Sequence, residues 1–451
     1  MIPLCASLTV CLLFIYAVTI RKIKSSYNQL TPLLGWIVGL GFFVILPFTL
    51  IVMNGGYSLP EHHRVKGYWG DVDLLDESFF IPFIIIWGSL ALSLISVTAF
   101  LPKNKGCQPE SSNQKPIDKK PIIAVLIASM FISAFQWFIT IWSFGGIEAF
   151  FSTHWYTRHE ELIERLGGVF ILYLKFLIAN RVVFLSAASI YTWKFYNGST
   201  KDKLFIVLLL LFLVIDMLMT GNRIYIALFI LITFSAFWIS NNKKVIFTGL
   251  SIAPILIIVF STWTALRGDL LNAGERLNTF LDESTTSENI VIDNIISVTE
   301  GANVLLLFHI TRDFGDRYAF LDGATYSKIF TFIIPRSIYP DKPKNFTEIT
   351  AEIYEPYVES LSLNSTALGE MYANCGLLIL ILLPFLSVAI LLLSNFLYYK
   401  NNQNPITLAI TFVMIAWFAR TCFSDNVVTL LFALLIVWIV LSSLKLRSLT
   451  S

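Results

Sequence analysis

Long apolar runs, separated by short polar connections, dominate this chain. Runs of about 17 to 25 residues, the length that lets an α-helix cross a hydrocarbon core of ~30 Å, recur along it. They fall near 2–20, 32–53, 79–101, 121–143, 169–193, 204–220, 223–240, 245–264, 373–398, 405–420 and 427–445. The pattern predicts an all-α polytopic membrane protein with about eleven transmembrane helices. One connection stands apart. Residues 265–372 form a polar stretch on the order of a hundred residues, a length uncommon without a function or a small fold of its own. The chain therefore reads as 1–264, eight spans with short loops; 265–372, one large loop carrying short helices; and 373–451, three spans.

Composition agrees with that pattern. Of 451 residues 56% are hydrophobic and only 14% charged, more apolar surface than a soluble core can hide. The net charge of +2 gives no footing for nucleic acid as a partner. The placement of the charge is more informative than its sum. Lysines and arginines collect in alternate connections: Arg21, Lys22 and Lys24; Lys103, Lys105, Lys115, Lys119 and Lys120; Lys194, Lys201 and Lys203; Lys243 and Lys244; Lys400; Lys445 and Arg447. The positive-inside rule makes these cytoplasmic. The N-terminus is then expected outside, the C-terminus inside, and the loop 265–372 outside. In the first run the positive charge follows the apolar residues, which reads as a first span and not as a signal peptide.

Cys5, Cys11, Cys107, Cys375 and Cys422 form no CxxC pair and give neither a metal-site nor a disulfide framework. No phosphate-loop, dinucleotide or nucleophile-elbow glycine pattern occurs. His62, His63, His154 and His159 lie in polar connections without the i, i+4 spacing of a helical zinc pair. His309, beside Arg312, reads as a loop histidine or as a base. The runs 303–310 and 328–334 are too short to span, and "NFTEITAEIYEPYVESL" fits one amphipathic surface helix.

Arginines where outer spans meet water carry the candidate chemistry. Arg223 lies in "TGNR", Arg267 in "TALRGD" and Arg336 in "IPRSIYPDKP"; Arg181 falls inside the fifth span and Arg420 ends the tenth. A single arginine at a helix end can simply snorkel to the interface. Three on one side, each beside Gly or Pro, fit an anion site, because guanidinium forks onto phosphate oxygens. Pro335, Pro340 and Pro343 would fix an irregular segment presenting Arg336 and Lys342. Ser365 or Thr366 is placed to cap the ninth span. Glu370 then falls in its first turns near the outer surface, as a dipole partner or as a general base.

With "TGNR" between two spans, the large loop, "IPRSIYPDKP" and "LNSTALGEMYANCG", the chain resembles the bacterial O-antigen polymerase (Wzy) family, the oligosaccharide repeat-unit polymerases. Arg312 and Gly323, with ten residues between them, add a spacing described for outer loops of some members. The resemblance implies a GT-C-like glycosyltransferase of the bacterial inner membrane. Its substrate is oligosaccharide on undecaprenyl diphosphate, at the periplasmic face, without metal or cofactor. It implies Arg223, Arg267, Arg336 and Lys342 at the diphosphate and Glu370 or His309 as base. It further implies Tyr339, Tyr354 and Tyr372 against sugar faces and Arg312, Asn364 and Ser365 in substrate binding, with membrane lipids and a chain-length regulator as partners. An O-antigen ligase shares the architecture. A lipid-linked oligosaccharide flippase is a third reading, although the chain shows no duplicated halves.

Overall fold

The computed structural model describes residues 1–27, 29–59, 68–102, 119–152, 169–242, 244–247, 249, 251, 259, 262–263, 290–331, 334, 338–358, 362–400, 405–423, 429–436 and 438–439. In chain order the elements are α1 (Ile2–Ser26), α2 (Pro32–Met53), β1 (Gly56–Ser58), β2 (Asp71–Asp73), α3 (Phe80–Phe100), α4 (Lys119–Ser143), α5 (Ile147–Ser152), α6 (Val169–Phe195), α7 (Thr200–Thr220) and α8 (Ile224–Ile239). Then follow α9 (Ile290–Thr299), α10 (Ala302–Asp313), α11 (Ala324–Thr331), α12 (Phe346–Tyr354), α13 (Ala367–Cys375), α14 (Ile379–Lys400) and α15 (Pro405–Arg420).

Seven helices among the described residues are long and apolar enough to cross a membrane, namely those within 2–26, 32–53, 77–100, 119–143, 176–195, 200–220 and 367–398. They match seven expected runs, and the last begins at Ala367, six residues before the expected 373. The shorter apolar helices α8 and α15 fall on the expected seventh and tenth. The expected eighth lies mostly outside the described residues; of the eleventh, 429–436 and 438–439 are described and helical.

Two compact units interleave along the chain, where hydropathy alone divides it into three consecutive blocks. The first comprises 1–106, 291–402 and 414–428; the second comprises 107–290, 403–413 and 429–451.

In the first unit α14 packs on α3 and α2, and α1 packs on α3. Apolar side chains alone choose poorly between helix partners in lipid, so small residues and buried hydroxyls specify the contacts. Ser387 of α14 accepts from Trp36 Nε1 at 2.8 Å and meets Ser93 Oγ at 2.6 Å, tying α2, α3 and α14 at one point. Ser394 Oγ accepts from the Leu33 N–H at 2.7 Å. Gly39 lets α2 lie against α15 backbone to backbone: a Cβ there would stand 2.6 Å from the Ala416 carbonyl oxygen. Large apolar side chains such as Phe14 and Phe385 stay exposed on the outward faces, where lipid would cover them.

The segment after residue 290 is a folded helical layer. Helices α9 and α10 meet at a bend of 77°. Neither can span alone, since α10 has 12 residues and reaches ~18 Å. α10 is buried almost throughout, packed on α3, α13 and the β1–β2 hairpin. Phe308 stacks on Phe48, which stacks on Phe83, with centroids 5.7 and 5.5 Å apart. The expected surface helix over 345–361 is shorter. It starts at an Asn345–Glu348 capping box and ends at Tyr354, two residues before Pro356, and one face (Phe346, Thr347, Thr350, Ala351, Tyr354) is buried.

In the second unit α6 packs on α4 and α8. A capping box of Ser199 and Asp202 starts α7; Asp202 also takes Lys119 Nζ at 2.8 Å and Tyr191 OH at 2.7 Å. α7 ends at Gly221, whose φ of +66° suits glycine at a left-handed helix stop. Arg223 then opens α8.

Candidate functional site

The candidate site of the first unit is built around α10. His309 is expected in a loop, but it sits in this helix, 1% exposed, because the apolar residues flanking it fold as one buried helix. Its ring packs edge-on to Phe79 at 5.2 Å and Tyr354 at 6.4 Å. Nε2 stands 2.8 Å from the Asp71 carbonyl oxygen of β2, and Arg312 Nη2 stands 2.9 Å from Nδ1. A guanidinium only donates, so Nδ1 accepts and Nε2 carries the proton. The imidazole is neutral with both nitrogens engaged, which removes the lone pair a base needs. Burial first, and also the Arg312 charge, hold its pKa down at about 4, against the Asp71 hydrogen bond that raises it.

The linkage has a definite sign. The unfolded chain binds this proton near pH 6.5, the folded one only near pH 4. Stability is therefore full above about pH 6.5 and falls as pH drops toward 4, by on the order of 3 kcal/mol. Thermal unfolding in detergent at pH 7.5 and pH 4.5 should show this loss, and His309→Gln should reduce it. A His309→Gln curve with an unchanged pH dependence would contradict the assignment.

Arg312 continues from His309. Its Nε donates to Asp313 Oδ1 at 2.7 Å, and its guanidinium carbon lies 4.8 Å from the Phe79 ring centroid. With Ser78, Asp313, Asp316 and Arg317 it lines an open cavity of about 360 Å³. At the rim, the Ser78 N–H and hydroxyl and then Arg312 hold the Asp76 carboxyl below its usual range. Gly323, the partner of Arg312 in the spacing pattern, has φ +82° and begins the turn into α11.

Glu370 lies on α13, which packs against α10. It is expected near the surface, yet it is fully buried, because α13 packs under α10 and α11. Its Oε2 accepts the Phe423 backbone N–H just beyond α15. The Tyr326 phenol is close by. Burial, and then the Glu370 charge, push that phenol far above its ordinary range, with Cys375 and Cys422 also nearby. Both cysteines are free thiols. Asn374, one turn after Glu370, donates to Thr325 Oγ1 at 2.8 Å and to the Glu370 carbonyl at 2.7 Å. α13 stops at Gly376, φ +56°, where a Cβ would meet Phe320 at 2.9 Å.

A pair that sequence reasoning missed closes this layer. Arg420 donates to Glu300 through Nε at 2.6 Å and Nη2 at 2.8 Å. Glu300 has φ +55° and occupies the bend between α9 and α10. A non-glycine residue in that region is strained and needs outside support, which the bidentate guanidinium supplies. Arg420→Ala should lower stability by about 2 kcal/mol, read as a melting-temperature drop that Arg420→Lys only partly restores.

The remaining expected residues lie partly in this layer and partly away from it. Thr366, not Ser365, is the N-cap of α13, without a side-chain cap bond. Ser365 is buried and donates to the Thr366 carbonyl at 3.3 Å, and Asn364 is half-buried. Tyr372 is buried edge-on to Phe320 at 5.9 Å, and Tyr354 is also buried, so neither presents a face to a sugar as it stands. Tyr339 is 38% exposed. Lys342 Nζ donates to the Ile334 carbonyl at 3.0 Å. Arg223 belongs to the second unit and is 8% exposed. Arg267 and Arg336 lie outside the described residues. Glu370, His309, Arg312, Tyr354 and Tyr372 are thus expected residues that one packed layer gathers.

The class this architecture defines is an all-α polytopic membrane protein. The chain matches no protein-family model, no curated protein and no solved structure.

Proposed function

We propose that the protein is an O-antigen polymerase, joining oligosaccharide units carried on undecaprenyl diphosphate at the periplasmic face of the inner membrane. The supporting observation is the position of the polar layer. Helices α10 and α13 carry His309, Arg312 and Glu370 and pack directly on the long apolar helices α3 and α14. A lipid-borne substrate needs that adjacency, with its chain in the bilayer and its sugars in water. The resemblance of "TGNR", "IPRSIYPDKP" and "LNSTALGEMYANCG" names the substrate.

In this reading the anomeric C–O bond to the diphosphate of the growing chain breaks. A new C–O bond forms to a hydroxyl at the non-reducing end of the incoming unit. Glu370 takes the hydroxyl proton, and the negative charge passes to the departing lipid diphosphate. The resemblance assigns Arg223, Arg267, Arg336 and Lys342 to that charge. Because Glu370 is buried, the layer over it must part to admit the acceptor. His309 is a positioning residue that holds Arg312 at the cavity rim.

Purified protein in liposomes, given undecaprenyl-diphosphate-linked repeat units, should produce a ladder of multimers. Arg223→Ala should slow it by about 100-fold, the size of effect seen when one charge-stabilising donor is removed, and Arg312→Ala should slow it through weaker substrate binding. Undiminished ladders from folded Arg312→Ala protein would take that residue out of the site.

A further inference from the structure

A second charged network lies within the helices of the second unit, and the reaction outlined above makes no use of it. Arg181, midway along α6, is 6% exposed, and Asp216, one turn before the end of α7, is 3% exposed. Arg181 Nε stands 3.0 Å from Asp216 Oδ2 and 3.2 Å from Oδ1. Its Nη2 donates to Gln136 Oε1 of α4 at 2.7 Å, and Trp137 Nε1 donates to Asp216 Oδ1 at 3.1 Å. The Tyr225 ring of α8 lies 5.3 Å from the guanidinium carbon. Four helices thus meet at one ion pair. Charge inside a membrane bundle is costly and, as a rule, retained for a purpose.

The wiring continues from this pair to the turn that carries Arg223. Thr220 Oγ1 donates to the Asp216 carbonyl at 2.7 Å and accepts the Asn222 N–H at 3.3 Å. Asn222 Oδ1 then accepts the Ile224 N–H at 3.1 Å. Asp216 is therefore held by Arg181 through its carboxylate and holds the "TGNR" turn through its carbonyl. Arg181 also lies against Tyr225, two residues past Arg223, and so meets the chain on the far side of the same turn. Gly221 gives this turn a permissive backbone, so outside bonds are needed to fix one geometry.

We infer that Arg181 and Asp216 are positioning residues, which lock the turn so that Arg223 is presented to an anionic diphosphate in a single geometry. The inference rests on the reading of Arg223 as a diphosphate ligand. A plain helix staple would affect melting alone; a positioning network also affects affinity, and only through Arg223.

The test is a binding cycle on the full-length protein in detergent, with farnesyl diphosphate as the probe. The species are wild type, Arg223→Ala, the neutral pair Arg181→Gln/Asp216→Asn, and the triple variant, each with its melting curve. Arg223→Ala and the neutral pair are each expected to weaken binding about tenfold, and the triple variant to bind no worse than Arg223→Ala. A folded neutral pair that binds like wild type overturns the inference while leaving the reading of Arg223 intact. So does a triple variant whose losses multiply. Equal binding by wild type and Arg223→Ala refutes the reading of Arg223, and the inference with it. Should the neutral pair not fold, Arg181→Lys keeps the charge and loses the fork. It should bind at least about fivefold more weakly, and wild-type binding by it overturns the inference.

Discussion

Glu370→Gln is expected to lose about 100-fold or more of polymer-forming turnover while melting close to wild type. Glutamine keeps the side-chain length and a carbonyl oxygen to accept the Phe423 N–H, so the brace between α13 and the end of α15 survives. What it loses is the capacity to take a proton, and a positioned general base contributes about 10²–10⁴-fold. Glu370→Ala should fail differently. It leaves a buried N–H without its acceptor, at a cost of about 1–3 kcal/mol, so both stability and turnover fall. Turnover by Glu370→Gln at the wild-type rate would reduce Glu370 to a brace. The comparison is a melting curve and a polymerisation rate on the same preparations.

Gly39→Val should destabilise the first unit by about 3 kcal/mol, the upper range for overpacking a close contact. The first added carbon would sit 2.6 Å from the Ala416 carbonyl oxygen and 2.8 Å from its Cα. Both are backbone atoms, so no rotamer change relieves the clash and the helices must separate. Separation would strain the Arg420–Glu300 clamp four residues further along α15. Gly88→Ala is the control: its new Cβ meets only Leu380 Cδ2, at 3.4 Å, and alanine favours the helix. A lower melting temperature for Gly39→Val beside an unchanged or higher one for Gly88→Ala is the expected result.

The spans were legible because a bilayer demands long uninterrupted apolar runs, and little else in a sequence produces them. Local pattern was legible in part: an amphipathic helix was expected from Asn345 on, and one runs over Phe346–Tyr354. Contacts that join distant segments left no such trace. Nothing near Glu300 announces Arg420, 120 residues away. His309 looked like a loop residue because its apolar run is too short to cross a membrane; such a run can also fold as a buried helix in a layer on top of the spans. Glu370 was expected near the surface because a helix start near water usually is exposed, and α10 and α11 cover this one. Arg181 was visible as a charge inside a span, but nothing in the sequence pairs it with Asp216 on the next helix.

The central claim, polymerisation of lipid-linked units, is tested most directly by the surface polysaccharide of a strain lacking the protein, resolved on a gel. The account predicts loss of the long ladder while a single repeat unit remains on the lipid core, and recovery with wild-type protein but not with Glu370→Gln. Loss of every capped band, the single unit included, would contradict it and point to ligation or transport.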